Sequence, residues 1–388
     1  MAIDRRTMLA GMAAAPAVLG AQRAAAQQSP GAARGQPLIG NPALPDPFSE
    51  RMRWAIVGLG TFAVGQVIPG FLDARKSRIT AFVSGNPEKA RTLGERYGVA
   101  RFHDYANFDR IAQDAEIDAV YIALPVGLHA EYTVRALKAG KHVLCEKPMA
   151  STSAECEAMI AAAKAADRRL GVAYRVHFEP HNVEALRRIQ AGDIGTMRFV
   201  SADHGFNADL NWVPHKWRLT KRLGGGGSMY DIGIYGINTS LMMLPGDEVV
   251  SVSAVDSTPP DDPRFREVEG ATEWRMRMKS GISVAGSSSY CYSPYVARQR
   301  YFGSKGSIEM HPSTTYYDNR LVLEAGGPAQ DIDAGQSASQ FAGQVDGFAE
   351  AARAGRPHRT PGEMGLRDLR LIEAMYRSAA RQGALVQL

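Results

Sequence analysis

Two short runs in this 388-residue chain carry side chains able to move a proton. Glu146-Lys147-Pro148 follows the apolar residues Val143-Leu144-Cys145, so a carboxylate and an ammonium emerge at the end of a strand. Asp231 and Tyr235 stand four apart, which puts a carboxylate and a phenol on one helix face. They follow Gly224-Gly225-Gly226-Gly227, where missing side chains allow close backbone approach or a hinge. A phenol ordinarily loses its proton near ~10, and an adjacent ammonium makes it a better base. Lys147 would supply that cation, and Asp231 would orient either Lys147 or a hydroxyl. Such a set suits taking the O–H proton of an alcohol while hydride leaves its carbon. The apolar positions Ile234, Ile237, Leu241 and Leu244 also fit an ordinary buried helix, with Asp231 and Tyr235 as satisfied core polar groups.

Hydride needs an acceptor, and the chain before these runs is patterned to hold one. Trp54-Ala55-Ile56-Val57 reads as a strand, Ala63 to Arg75 as a helix, and Ser77 to Val83 as a second strand. The turn between is Gly58-Leu59-Gly60-Thr61-Phe62-Ala63, a G-x-G-x-x-A sequence. Gly58 permits the tight turn, Gly60 lets backbone approach a pyrophosphate, and Thr61 and Phe62 begin a helix whose free N–H groups face it. The second strand ends in Ser84 where an NAD site usually has Asp or Glu, and Lys89 follows. A hydroxyl and an ammonium accept the 2′-phosphate of NADP, which a carboxylate would repel; Ser84 and Asn86 also fit as plain turn residues.

Strand and helix keep alternating: strand Asp118–Pro125, helix His129–Ala139, strand Lys141–Pro148, helix Ser153–Ala166, strand Leu170–Tyr174. This predicts an α/β fold with a doubly wound parallel sheet, whose ligands sit beyond the carboxyl ends of the strands. Leu124, Pro125, His129, Glu146, Lys147, Tyr174 and Arg175 fall at or just past such ends. The next strands, Thr196–Asp203, Val249–Val255, Ala271–Met278, Ile282–Tyr290 and Arg298–Gly303, form a second group, and an amphipathic helix Gly365–Gln382 returns to the first.

The ordered motifs Gly58-x-Gly60-x-x-Ala63, Glu146-Lys147-Pro148 and Gly225-Gly226 to Asp231-x-Gly233-x-Tyr235 resemble the Gfo/Idh/MocA oxidoreductases. Most of that family has His where this chain has Tyr235, so the resemblance is closest to the exported glucose–fructose and aldose–aldose branch. The resemblance implies a catalytic set of Lys147, Asp231 and Tyr235. It also implies that Tyr174, Arg175, His177, Trp217 and Arg218 bind nicotinamide, phosphates or sugar. It further implies a C-terminal α+β domain with an open, mostly antiparallel sheet whose free face makes a homodimer or higher homo-oligomer. Val126 departs from the glucose–fructose branch, which has Asn there.

Composition bounds the rest. Net charge is +5 with 22% charged residues, too scattered for a nucleic-acid footprint. No uncharged apolar run approaches the ~20 residues of a membrane span. Cys145, Cys156 and Cys291 cannot build a disulfide framework, and no cysteine cluster of metal-site spacing occurs, so no metal is expected. Arg5-Arg6 precede an Ala/Gly-rich stretch and Ala24-Ala25-Ala26, the order of a twin-arginine signal peptide cleaved before Gln27 and addressed to the periplasm. Its removal would lower the net charge to +3. The expected organisation is leader 1–26, Pro-rich arm 27–50, NADP-binding Rossmann domain 51–175, and substrate and dimerisation domain 176–388. The arm reads equally as a free tether or as a packed segment.

Outside the cytoplasm free nicotinamide is scarce, so an exported enzyme of this kind must keep its NADP tightly bound. The expected activity is ping-pong: one aldose becomes a lactone, then a second sugar becomes an alditol. A conventional NADP-dependent sugar or polyol dehydrogenase is the alternative, and a non-catalytic sugar or nucleotide sensor the third reading. Trp212 to Arg218 mixes aromatics with cations, as a sugar-stacking loop or a packing loop would.

Overall fold

Four consecutive apolar residues, Trp54 to Val57, have side chains on both faces of a strand, so both faces must be covered. In the computed structural model, which describes residues 44–388, they form the buried end of β1 (Met52–Val57). β1 lies inside a parallel sheet with β2 (Ser77–Val83), β3 (Arg101–His103), β4 (Ala119–Ile122), β5 (His142–Cys145) and β6 (Leu170–Val172). The order is β3-β2-β1-β4-β5-β6, so the chain reverses direction across the sheet between β1 and β4. That is where an open α/β sheet makes its ligand crevice. The leader 1–26 and arm residues 27–43 lie outside the described residues. Residues 44–50 pack against the rest of the unit: Asp46 N–H donates to the Arg75 carbonyl (3.0 Å), and Arg353 pairs with the Asp46 carboxylate (2.6 Å).

The connecting helices follow the expected spans closely, running over His129–Lys138 and Ser153–Ala165. A Thr152/Glu155 capping box starts the second of these. The first helix differs. In place of one helix to Arg75, a wide turn at Ala63–Val67 leads into a short helix, Ile68–Leu72. Pro69 has no N–H for the residue four before it, which favours such a widened turn.

The remaining strands are β7 (Met197–Asn207), β8 (Val249–Asp256), β9 (Ala271–Met278), β10 (Ser283–Ser289), β11 (Cys291–Gly303), β12 (Ser307–Met310), β13 (Leu321–Glu324), β14 (Gln330–Ile332) and β15 (Val386–Gln387). They form one open sheet, β14-β13-β12-β11-β7-β10-β9-β8-β15, antiparallel except for the β7–β10 pair. β9 shows why one face is covered: Thr272, Trp274, Met276 and Met278 are buried while Glu273, Arg275 and Arg277 are exposed. Helix Gly362–Ala379 lies on β8 and also against helix Ser153–Ala165 of the first sheet, so it bridges the two sheets. The apolar core is continuous from Val57, Val120 and Val143 through Ile234 and Leu369 to Met276.

Helix Ser339–Arg353 closes the other side of the parallel sheet. Its Asp346 carboxylate accepts from the N–H groups of Arg75 and Lys76 (2.6 and 2.9 Å), and Phe341 lies on the Ile68–Leu72 helix. The approach depends on Gly70, where a Cβ would stand 2.3 Å from Phe341 Cβ, whereas a Cβ on Gly60 would meet nothing within 4 Å. Gly70→Ala is expected to lower the unfolding free energy by about 1–3 kcal/mol, and Gly60→Ala to change it by under ~1 kcal/mol. Urea unfolding of the two variants beside the parent protein checks the contrast.

Candidate active site

The carboxyl ends of β1, β2, β4, β5 and β6 open on one edge. After β1, Gly58 has φ +92°, and a Cβ there would stand 2.5 Å from the Ala123 carbonyl oxygen, so only glycine makes this turn. Gly60 faces open space, Thr61 is exposed and Phe62 half-buried, leaving a cradle of free backbone at a helix start. No carboxylate stands at the end of β2. Ser84 Oγ accepts from Asn86 N–H (3.1 Å) and Asn86 Oδ1 from Lys89 N–H (2.9 Å), so both side chains shape the turn. The Ser84 hydroxyl keeps its own proton to donate, and Lys89 is exposed. This edge fits a dinucleotide, and its polar groups fit a 2′-phosphate.

Past β5 and across from it, the proton-moving residues meet. Lys147 Nζ donates to the Asp231 backbone oxygen (2.5 Å) and lies 3.4 Å from Asp231 Oδ1. On the other carboxylate oxygen, Arg218 Nε stands 3.1 Å away. Burial pushes the Asp231 carboxyl upward, but Arg218 and Lys147 outweigh it and bring its pKa from 3.8 down to about 2. Asp231 sits in a second wide turn, Met229–Gly233, which runs straight into helix Ile234–Met242 carrying Tyr235. The turn is anchored by Glu269, whose two carboxylate oxygens accept from Gly227 and Met229 N–H (2.8 and 2.9 Å). A Cβ at Gly227 would lie 1.8 Å from the Glu269 carbonyl oxygen, so the glycine run serves close packing. Lys147 Nζ is 4.6 Å from the Tyr235 ring centre, and Arg175 Nη2 donates to the Tyr235 hydroxyl (3.1 Å).

Lys147, Arg175, Arg218, Asp231 and Tyr235 are therefore one cluster, with Trp217 against Arg218 (4.4 Å). The other expected residues stand apart from it. His129 is buried with its ring nitrogens 2.8 Å from the Leu124 and Pro148 carbonyl oxygens, so it braces the ends of β4 and β5. Leu124 and Pro125 stay half-buried at the edge. Glu146 is buried under it, accepts from the Tyr121 hydroxyl (2.6 Å), and is pushed up in pKa by burial. Tyr174 and His177 lie a layer behind. His177 Nε2 is 2.8 Å from Asn238 Oδ1, and Asn238 in turn donates to Asp368 (2.7 Å). Burial takes the His177 pKa to about 3, leaving it neutral. Val126 is buried against the glycine run.

The structure adds residues that the motifs did not reveal. His204, on β7, stacks on Tyr235 (6.3 Å between centres) and touches Thr314 Oγ1 (3.1 Å). Burial and the nearby Arg175 and Lys147 cations hold its pKa at about 3, so its ring is neutral at pH 7. Tyr316 reaches from the loop between β12 and β13 to Phe62 of the cofactor turn (5.9 Å), and the Tyr317 hydroxyl donates to Gln66 (2.9 Å). In the 212–218 loop, Trp212 remains 49% exposed while Trp217 is covered on one face by Arg218. Among the described residues no group of three or more potential metal ligands occurs, and no helix is long and apolar enough to cross a membrane.

Comparison with known proteins agrees with this geometry. Residues 52–174 match the model of the oxidoreductase family with NAD-binding Rossmann fold, and residues 183–309 match the GFO/IDH/MocA C-terminal domain. The chain is 42% identical to aldose–aldose oxidoreductase from Caulobacter crescentus, solved with glycerol; the match covers 87% of this chain and 100% of that one, with a TM-score of 0.83. It is 30% identical over 346 residues to a D-xylose 1-dehydrogenase [NADP(+)] from Haloarcula marismortui, covering 86% of this chain and 92% of the relative. A 3-ketoreductase from Actinomadura kijaniata, solved with NADP and TDP-benzene, is 25% identical with a TM-score of 0.74, the match spanning 84% of this chain and 98% of that one. With both sheets matched and a relative covered end to end, the chain belongs to the Gfo/Idh/MocA family and is an NAD(P)-dependent oxidoreductase acting on CH–OH groups.

Proposed function

We propose that the protein is a sugar oxidoreductase that oxidises an aldose to its lactone and reduces a second sugar to an alditol. Tightly held NADP would carry the hydride between the two half-reactions. The observation that carries the reading is the convergence of Lys147, Asp231 and Tyr235 at the strand ends that face the Gly58–Phe62 cradle. Tyr235 takes the proton of the sugar hydroxyl in the first half-reaction and returns it to the carbonyl oxygen in the second. Lys147 donates to the same sugar oxygen and holds it near the phenol. Asp231, anionic throughout the working pH range, holds Lys147 and Arg218 in place beside the phenol.

NADP in preference to NAD is supported by the carboxylate-free end of β2, and by similarity to an NADP(+) xylose dehydrogenase and to a 3-ketoreductase solved with NADP. Tight retention is supported by the Tyr316–Tyr317 loop, which spans from the cluster to Phe62 and Gln66 of the cofactor turn. The twin-arginine leader supports export of the folded protein to the periplasm, where bound cofactor has no soluble pool to exchange with. A conventional NADP-dependent sugar dehydrogenase is favoured by one observation, the similarity to the xylose dehydrogenase.

One spectrum separates the two. Dialysed protein purified from cells should absorb as bound nicotinamide, gain the reduced-nicotinamide band on adding glucose without added NADP, and lose it on adding a second sugar. A protein that is silent until free NADP is supplied is the conventional dehydrogenase. Tyr235→Phe should retain the cofactor spectrum and lose about 10²-fold or more in turnover. Normal sugar oxidation by that variant would refute the assignment.

The Asp231 carboxyl also links stability to pH. Its pKa is lower folded than unfolded, so its contribution is fully present above about 4 and is lost as pH falls toward about 2. Asp231→Asn is expected to cost about 2 kcal/mol at pH 7, and this difference from the parent should shrink below pH ~4. Urea unfolding at several pH values measures it. A difference that is constant down to pH 2 would remove the charge pairing as its cause.

A further inference from the structure

Arg175 is the cation on the Tyr235 oxygen. Its guanidinium is buried, and Nη2 donates to the Tyr235 hydroxyl (3.1 Å) and to the Thr314 carbonyl (2.7 Å). Nη1 donates to Gln340 Oε1 (2.6 Å) and to the Thr315 carbonyl (3.2 Å). All four acceptors are neutral. No carboxylate contacts the guanidinium directly, and Glu146 reaches it only through space, so its lost hydration is not repaid by a hydrogen-bonded ion pair. Lys147 cannot take the same place, because its Nζ is engaged by Asp231 and lies over the phenol ring, not at the oxygen. Arg218 is likewise held by Asp231.

From this geometry we infer that Arg175 is a positioning residue for Tyr235, whose missing counter-charge is the phenolate that forms during the reaction. The inference rests on the proposed acid–base role of Tyr235 and deepens it. Arginine only donates, so its bond to Tyr235 uses an oxygen lone pair and leaves the phenol O–H to point elsewhere, toward substrate. When the aldose O–H proton passes to the Tyr235 oxygen, the negative charge leaves the phenolate and the Arg175 bond reverts to a neutral acceptor. In the second half-reaction the phenol O–H bond breaks, the proton goes to the sugar carbonyl oxygen, and the phenolate left behind again faces the guanidinium. No other proton is needed at Arg175. The placement is rigid, since Gln340 comes from helix Ser339–Arg353 and the Thr314–Thr315 carbonyls from the loop whose next residues, Tyr316 and Tyr317, touch the cofactor turn.

The test uses the full chain with its native cofactor loaded, following the nicotinamide band after mixing with glucose. Arg175→Gln should slow sugar oxidation about 10²-fold, as removal of a preorganised donor to a reacting oxyanion does. KM for glucose should stay within ~2-fold and the bound cofactor should be retained, because the guanidinium contacts neither in this reading. The solvent deuterium isotope effect on the oxidation step should rise, as proton transfer becomes limiting, and Arg175→Lys should recover part of the rate. In a Tyr235→Phe background, Arg175→Gln should add under ~3-fold further loss. If Arg175→Gln fails to fold, Gln340→Met replaces it: loss of the anchor should slow oxidation about 10-fold with the same isotope-effect rise. Cofactor loss, a raised KM with unchanged kcat, or full additivity with Tyr235→Phe would overturn the inference and assign Arg175 to binding. An active Tyr235→Phe would sink the acid–base reading itself. An inactive Tyr235→Phe beside an unaffected Arg175→Gln would sink only the inference about Arg175.

Discussion

The Asp231 carboxylate sets the terms for everything around it. A carboxylate sheltered to 19% exposure is tolerable only with cations in contact, and the two that reach it come from distant parts of the chain. Lys147 arrives from the end of β5, and Arg218 from the loop before the glycine run. Holding three separate segments on one carboxylate demands that the two sheets be fixed relative to each other. The continuous core and the bridging helix Gly362–Ala379 do that. The glycine run, Glu269 and the wide turn at Met229–Gly233 are then the local means of presenting both a side-chain and a backbone oxygen of Asp231 to Lys147.

The same charges decide which neighbours can act. Four imidazoles lie in or behind this region, His129, His177, His204 and His215, and all are pushed below their ordinary pKa by burial. His204 is the nearest to Tyr235 and stays neutral because Arg175 and Lys147 add repulsion to burial. A site with this much positive charge disfavours an imidazolium and favours an anion. That leaves the Tyr235 phenol, with Lys147 over its ring and Arg175 on its oxygen, as the group placed to exchange a proton here.

The parallel sheet, apart from the three-residue β3, was legible because each β-α-β step repeats a strong local pattern: an apolar strand, a turn with glycine or proline, and an amphipathic helix. Lys147, Asp231 and Tyr235 were legible for a related reason. They are polar residues at the edges of apolar runs, where the element ends and a site can begin. His204 came within one residue of detection. The expected strand stopped at Asp203, whereas β7 runs to Asn207, and Val200, Ala202 and His204 alternate on its covered face. Tyr316 was not legible at all, because the Ser313–Asn319 loop has no periodicity and is shaped by Asn319 bonding back to Thr315. β12 to β14 were missed because they are three or four residues long, too short to show alternation.

Arg175, His129 and Tyr174 show what position along the chain leaves undecided. Position at a strand end predicts that a side chain is near a site, but burial decides whether it faces the ligand or supports a residue that does. His129 has both ring nitrogens against chain carbonyls, and Tyr174 turns its hydroxyl into the protein. Arg175 makes the more informative case. A guanidinium at a cofactor edge suggests phosphate binding, yet here its two Nη atoms face neutral oxygens and the Tyr235 hydroxyl. A surface arginine that met phosphate would keep its fork open to solvent, whereas both Nη atoms of Arg175 are taken by oxygens of the protein, one of them the Tyr235 hydroxyl.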